Sequence, residues 1–419
     1  MRIAIIHWSR RELGGAETYL RNVLPALGAA GHELAFLTEC DAPPDRDLIA
    51  LPSGTIEWCI ERDGREHAFA SLVEWGPDVI FVHLLTGPEN EAAVQEIAPS
   101  VLFTHGYLGT CISGAKTWKT PIPRPCGRAF GWGCLAHYYP HRCGGLNPLT
   151  MIRDFETNRR RHHHLPEYRA VITNSLHLAR EYVANGCATD HVHAVPMPVV
   201  GEPPEGRAER TGPYHPDEWH LVFAGRMDRL KGGRVLIEAL SNIVPALDRR
   251  VRVTFAGDGP DRAQWEMLAG RACERSSGRL SIAFAGWQSS EALEELWRTA
   301  DLLVVPSQWP EPFGLVGPEA GLCGVPAAAF AVGGIPDWLI DGVNGHLASG
   351  LPPTARGIGD AVVRCLRDPA HYASLRHNAW KVALRFNLQA HVREVLRVLE
   401  DVALHPTPVP LTSDVAVTC

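Results

Sequence analysis

Two glutamates stand eight positions apart in Glu311–Ala320, EPFGLVGPEA, between the apolar run DLLVVPS and a helical pattern over Gly314–Cys323. A strand-to-helix turn of this kind aims free backbone N–H groups past the strand's carboxyl end, where they and the helix dipole favour phosphate. Pro318 falls in the first turns of that helix, where its missing N–H does least harm. Carboxylates repel phosphate, so Glu311 and Glu319 suit hydroxyl groups instead. A ligand with both phosphates and hydroxyls is a nucleotide sugar. In GRMDRLKGG, Arg226 follows a strand and Lys231 precedes a helix. A bidentate guanidinium and a point-charge ammonium match a diphosphate, whose negative charge grows as it departs. His83 and His105 each end a strand, where open α/β sheets bind ligands, and His105, followed by Gly106, is the better candidate.

These residues need a scaffold of parallel strands. RIAIIHW, the turn holding Gly14 and Gly15, a helix with Leu20, Val23, Leu24 and Leu27 at helical spacing, and ELAFLTE form a βαβ unit. The two glycines let a ligand approach the backbone closely, but the third glycine of a dinucleotide fingerprint is missing. DVIFVH, SVLFTH and AVITNS extend the sheet. GEPPEGRAERTGPYHPDE reads as a linker, after which strands and helices alternate again from HLVFAG to DLLVVPS. At 419 residues two cores are expected. The domains fall at 1–200 and 218–386, joined by linker 201–217, with a helix over 387–404 and a flexible tail over 405–419. The fold class is α/β, two Rossmann-like parallel sheets.

With 47 acidic and 40 basic residues the net charge is −7, which argues against nucleic acid or an anionic membrane as the main partner. Local basic clusters and peripheral membrane association stay open. Met1–Trp8 is too short for a signal-peptide core and reads as a first strand, and no apolar run nears the roughly 20 residues of a membrane span. A cytoplasmic location is the default expectation. Of the 11 cysteines, Cys111, Cys126, Cys134 and Cys143 fall within an irregular segment, 106–148, too long and too poor in pattern to order itself. Their spacings of 14, 7 and 8 intervening residues lack C-x-x-C pairs, so zinc, two disulfides and an iron–sulfur cluster all stand as readings, a structural metal foremost. His137 and His141 are substitute ligands. Arg159, Arg160 and Arg161, in RDFETNRRRHHHLP, read as a basic helix that attracts an anionic acceptor.

The ordered set GGAET, FTHG, GRMDRLKG, FAGDGP, EPFGLVGPEA and GGIPDWLIDGVNGHL resembles the retaining glycosyltransferases of family 4, over nearly the whole chain. The resemblance implies the GT-B architecture, two Rossmann-like domains facing across a cleft, with the helix over 387–404 packing back on the first. It implies that Arg226 and Lys231 hold the diphosphate of a UDP- or GDP-sugar donor, that Glu311 meets the transferred sugar, and that Glu319 holds the ribose. Gly14, Gly15, Phe313, Gly314 and Leu315 join the donor site, and His105 lies at the reacting face. The acceptor expected is a hydroxyl of a glycan, lipid-linked saccharide or small metabolite, and no catalytic cofactor or metal is needed. Arg229 stands where the family usually has proline, and Asp337 where it has Glu. A sugar-nucleotide epimerase and a non-catalytic nucleotide-sugar-binding protein are the competing readings.

Overall fold

The computed structural model describes residues 1–12, 14–42, 47–201 and 210–405. Residues 202–209 of the linker and all but the first residue of the tail lie outside the described residues. The first half supplies strands β1 (Arg2–His7), β2 (Glu33–Thr38), β3 (Ile56–Cys59), β4 (Val79–Val82), β5 (Ser100–Thr104), β6 (Thr117–Trp118), β7 (Arg124–Pro125), β8 (Ala170–Thr173) and β9 (Val192–Ala194). All but β6 and β7 form one parallel sheet in the order β3-β2-β1-β4-β5-β8-β9. The second half gives β10 (Glu218–Ala224), β11 (Arg250–Ala256), β12 (Leu280–Gly286), β13 (Leu302–Val305), β14 (Ala327–Phe330) and β15 (Gly345–Ala348), in the order β12-β11-β10-β13-β14-β15.

The central strands are apolar almost throughout because helices cover both faces. Ile5 sits in register with Phe36 on one side and Phe81 on the other, and all three are fully buried. Val253, Phe255 and Leu303 play the same part in the second sheet. In parallel sheets of this kind every strand ends on the same edge, so the loops that carry His105, Lys231 and Glu311 emerge together.

The chain passes between the sheets twice. After β9 it runs through Val199, whose N–H donates to the carbonyl of Phe386 at 2.7 Å, and Phe386 belongs to the returning crossing. The returning chain enters the helix Leu388–Leu404, which lies on the helix Gly15–Ala29 of the first sheet. His391 of that helix fixes the contact. Its Nδ1 lies 2.8 Å from the Pro196 carbonyl and must donate, so its Nε2 accepts from the Tyr19 hydroxyl at 2.9 Å.

Segment 106–148 contains the β6–β7 hairpin and the short helix Gly133–Tyr138, and leads into the helix Pro148–His164. It has a small apolar core of its own, formed by Ile112, Phe130, Tyr138 and Cys143 against Phe155. Its order therefore comes partly from apolar packing, which the sequence pattern had not suggested. His137 and His141 stack on Trp118, the His141 ring 3.7 Å from it and nearly coplanar, so aromatic packing occupies these two rings. The arginine run also differs from expectation. Arg161 is buried, bonded to Glu91 at 2.8 Å and to the carbonyls of Leu85 and Thr86, while Arg159 and Arg160 both bind Glu156. Helical geometry turns successive residues by about 100°, so three adjacent arginines cannot share one face.

Candidate active site between the two sheets

A cavity of about 390 Å³ lies between the carboxyl edges of the sheets. Gly15, His105 and Asn174 line it from the first sheet, and Lys231, Ser307, Glu311 and the turn Phe313–Leu315 from the second. Gly15 opens its helix without a side-chain cap, so the first amides keep free N–H groups. A Cβ built on Gly15 would meet no protein atom within 4 Å, so neither the fold nor the backbone angles demand glycine there. Gly14, just outside the cavity, has extended backbone at φ −168°.

Gly314 does meet a conformational demand. Its φ of +89° turns the chain from the Glu311 loop into the helix Val316–Leu322, which starts two residues later than the sequence pattern suggests. The Trp338 indole closes this turn by donating to the Phe313 carbonyl at 2.7 Å.

Lys231 ends a short 3₁₀ turn capped by Asp228, whose Oδ1 accepts from the amides of Leu230 and Lys231. Its ammonium lies 2.7 and 2.9 Å from the two oxygens of Glu311 and 4.8 Å from the centre of the Trp309 ring. Glu311 is nearly buried and Lys231 about a quarter exposed, so the cation faces the cavity with its counter-ion behind it. Arg226 stands apart. It does not line the cavity, and its side chain is 72% exposed, with Nε 3.8 Å from Asp228.

Glu319 faces a neighbouring cavity of about 250 Å³, between the helices Gly15–Ala29 and Ser290–Thr299, and Leu315 lines both spaces. Among the described residues no hydrogen-bond partner meets its carboxylate, and burial pushes the carboxyl up to about 7.

His105 is held by His83, Nε2 to Nδ1 at 3.0 Å. The other nitrogen of His83 is buried without a partner. An orphaned acceptor costs less than an orphaned N–H donor, so the network assigns the proton to His83 Nδ1, which donates to His105 Nε2. The remaining proton of His105 is then on Nδ1, as a hydrogen-bond donor. Burial first, and His7 second, push His105 down to about 3, so it stays neutral. Behind it, His7 Nδ1 accepts from the Leu84 amide at 3.4 Å, and its Nε2 donates to Glu17 at 3.1 Å. Burial alone would raise Glu17, but the bonds from His7 and Trp8 hold it at about 2.

Two contacts across the cleft were not visible in the sequence. The Tyr107 hydroxyl donates to the Pro310 carbonyl at 2.6 Å, and Asp337 Oδ2 accepts from the Leu176 amide at 2.6 Å. Asp337 thus caps a helix of the opposite unit beside that helix's own N-cap, Ser175. Asp337 belongs to the GGIPDWLIDGVNGHL motif, but nothing in that motif names its partner across the cleft.

Burial, and after it the neighbouring cysteines, raises Cys143 to about 11 and Cys134 above the ordinary thiol value. The Lys116 amide donates to Cys111 Sγ at 3.3 Å. Among the described residues the thiols are free, and no three His, Cys, Asp or Glu side chains are arranged to hold a metal ion.

Residues 209–382 match the family model of glycosyl transferases group 1. A D-inositol 3-phosphate glycosyltransferase of Xylanimonas cellulosilytica is 32% identical over 407 residues, covering 90% of this chain and 88% of that protein. The D-inositol 3-phosphate glycosyltransferase 1 of Catenulispora acidiphila is 33% identical over 240 residues, but the match spans only 56% of its length and 54% of this chain. Among solved structures, sucrose-phosphate synthase from Thermosynechococcus elongatus superposes with a TM-score of 0.65 at 22% identity, covering 96% of this chain and 98% of that one. Anabaena HepE in complex with UDP-glucose gives 0.61 at 17% identity, covering 96% of this chain and all of that one. At those identities the likeness speaks for the fold, which is GT-B. No helix among the described residues is long and apolar enough to cross a membrane. With a one-third identity that runs through nine-tenths of its length, the chain belongs to the group 1 glycosyltransferases of the GT-B fold.

Proposed function

We propose that the protein is a retaining, metal-independent transferase that moves a sugar from a nucleotide donor to an acceptor hydroxyl. The observation that carries this reading is the placement of Lys231 and Glu311 in one cavity and Glu319 in the next, with Leu315 between. A nucleotide sugar spans such a pair of spaces. Its ribose diol donates to Glu319, its diphosphate takes the Lys231 ammonium and the free amides that open the helices at Gly15 and Val316, and its sugar meets Glu311 and His105. Support for a UDP-linked donor comes from the HepE complex with UDP-glucose, and the names of the relatives support an acceptor with ring hydroxyls.

Lys231 is bound to Glu311 before the donor arrives. An incoming diphosphate offers the ammonium a second partner, and freed lone pairs of Glu311 then accept sugar hydroxyls. In the transfer step the bond from C1 to the β-phosphate oxygen breaks, the acceptor oxygen bonds to C1 on the same face, and the acceptor proton passes to the departing phosphate. Lys231 stabilises the charge that grows there. His105, neutral and donating through Nδ1, orients a sugar oxygen rather than removing a proton. As a separate structural feature we also propose a metal centre at Cys111, Cys126, Cys134 and Cys143, which would have to draw the four thiols together, since among the described residues no three of them are arranged to hold an ion.

The test of the transferase reading is turnover of UDP-sugars by Lys231→Ala. The expected loss is about 100- to 1,000-fold in a protein that still folds, with a lower melting temperature because the nearly buried Glu311 loses its counter-ion, the loss of turnover being the scale seen when one such donor is removed. Near-normal turnover removes the diphosphate assignment.

A further inference from the structure

From residue 97 to residue 153 the chain has six Lys or Arg and no Asp or Glu, in a protein of net charge −7. Lys116 is buried against Glu181, but Arg128, Arg142 and Arg153 are exposed. Over the same stretch several large apolar side chains face solvent: Trp132 is 75% exposed, Leu149 74%, Leu146 67% and Ile152 57%. The fold gathers them. Leu149 and Ile152, three apart, share a face of the helix Pro148–His164, and Leu146 precedes its N-cap Asn147. The Trp132 ring lies 5.1 Å from Phe155, one turn further along. Arg153 adjoins Ile152, and the Arg128 guanidinium lies over Gly133 beside Trp132.

We propose that this arginine-rimmed apolar face docks on an anionic lipid bilayer and holds the cleft beside a lipid-linked acceptor. A cluster of exposed apolar side chains marks an interaction surface, and indole and aliphatic groups ringed by arginine match the chemistry of a headgroup boundary. A symmetric contact with a second copy would set Arg128 and Arg142 of one rim against those of the other, with Asp154, 3.5 Å from Arg153, as a partial offset, and like-charge repulsion opposes it. The segment that carries the face also reaches the second unit beside the cleft. The insertion begins next to His105, and its Lys119 carbonyl accepts from Arg229, at 3.2 Å, in the loop that carries Lys231. The docking stands on the surface alone; only the acceptor assignment rests on the transferase reading.

Sedimentation of the full chain with vesicles tests this without turnover, using phosphatidylcholine alone or with about a third phosphatidylglycerol. Each arginine near an anionic surface strengthens binding about five-fold, so Arg128→Gln, Arg142→Gln and Arg153→Gln together should weaken it on the order of 100-fold. A similar loss is expected for the parent protein on neutral vesicles or at about 0.5 M salt. Trp132→Ser, Leu149→Ser and Ile152→Ser together should cost at least about 10-fold while the shift in melting temperature with UDP is unchanged. No binding of the parent chain to anionic vesicles overturns the proposal, as does undiminished binding by both triple variants. Association with an acidic protein in place of vesicles assigns the face to a protein partner and also overturns it. Vesicle binding with no transfer to any sugar acceptor would remove the transferase reading and leave the docking in place.

Discussion

Gly15 is a position where the fold itself makes no demand for glycine. Its Cβ position is empty of protein, and its backbone is helical, so Gly15→Ala should leave stability unchanged or raise it by up to about 1 kcal/mol. The added methyl enters the cavity where a phosphate would approach. UDP affinity, measured by calorimetry, should therefore fall at least about ten-fold, the scale of one lost amide contact with a charged group. Glu319 carries the opposite tension. Burial holds its carboxyl at about 7, so the folded state binds this proton more tightly than the unfolded one, and stability from this group is lost as pH rises from 4.5 through 7. Glu319→Gln removes that penalty. The variant should melt higher than the parent at pH 8 and about equally at pH 5, yet bind UDP more weakly. Glu311→Gln should keep UDP affinity within about three-fold and lose transfer, because on the proposed reading its oxygens accept the sugar hydroxyls once the diphosphate has drawn Lys231 away.

At the scale of elements, the sequence was most legible where one segment determines its own structure. The strand-turn-helix of Glu311–Ala320 needs only its apolar run, a glycine that accepts φ +89° and a helix start, and all three lie in adjacent residues. The loop of Lys231 was readable for the same reason, since Asp228 caps it from three residues away. Arg226 was placed with Lys231 by its position after a strand and by the family resemblance, but a long side chain on an exposed loop has little to aim it, and here it is 72% exposed and does not line the cavity. Segment 106–148 was the least legible. Its core joins Ile112 and Phe130 to Phe155, across 43 positions of irregular chain, which no periodic pattern records. Its cysteines give a direct measurement. Raised by burial, Cys143 should react slowly with a thiol reagent at pH 8 in the native protein, and all 11 thiols should titrate after denaturation with a chelator. Four missing thiols would mean two disulfides; zinc or iron in stoichiometric amount would identify the proposed centre.

The molecule as a whole holds several histidines neutral. Burial pushes His105 to about 3 and both His220 and His391 to about 4, against about 6.5 in the unfolded chain. A histidine with a depressed folded value binds its proton less well in the native state. Stability should thus fall as pH drops below about 6.5, each group costing up to about 3 kcal/mol by pH 4. Melting temperature against pH checks this, and a flat curve from pH 7 to 4.5 would contradict it. His391 sits where the helix Leu388–Leu404 binds the first sheet's unit, so its protonation breaks the bond from Tyr19 and loosens the returning segment.

That returning segment lies beside the outgoing one, joined by the bond from Val199 to Phe386 and a parallel bridge from Val199 to Asn387. Two chains laced together make a ribbon, which bends readily in one direction and resists shear and twist. A connection of that form favours swinging of the two sheets, like the covers of a book, over sliding. Asp337 on the Leu176 amide and Tyr107 on the Pro310 carbonyl act as the clasp. A book opened along its spine admits a long, flat guest edge first, and closing brings both pages onto it in one fixed register. On the proposed transferase reading, Lys231 and Glu311 on one page and His105 on the other would meet the same reacting carbon at each closing, without any of them having to search for it.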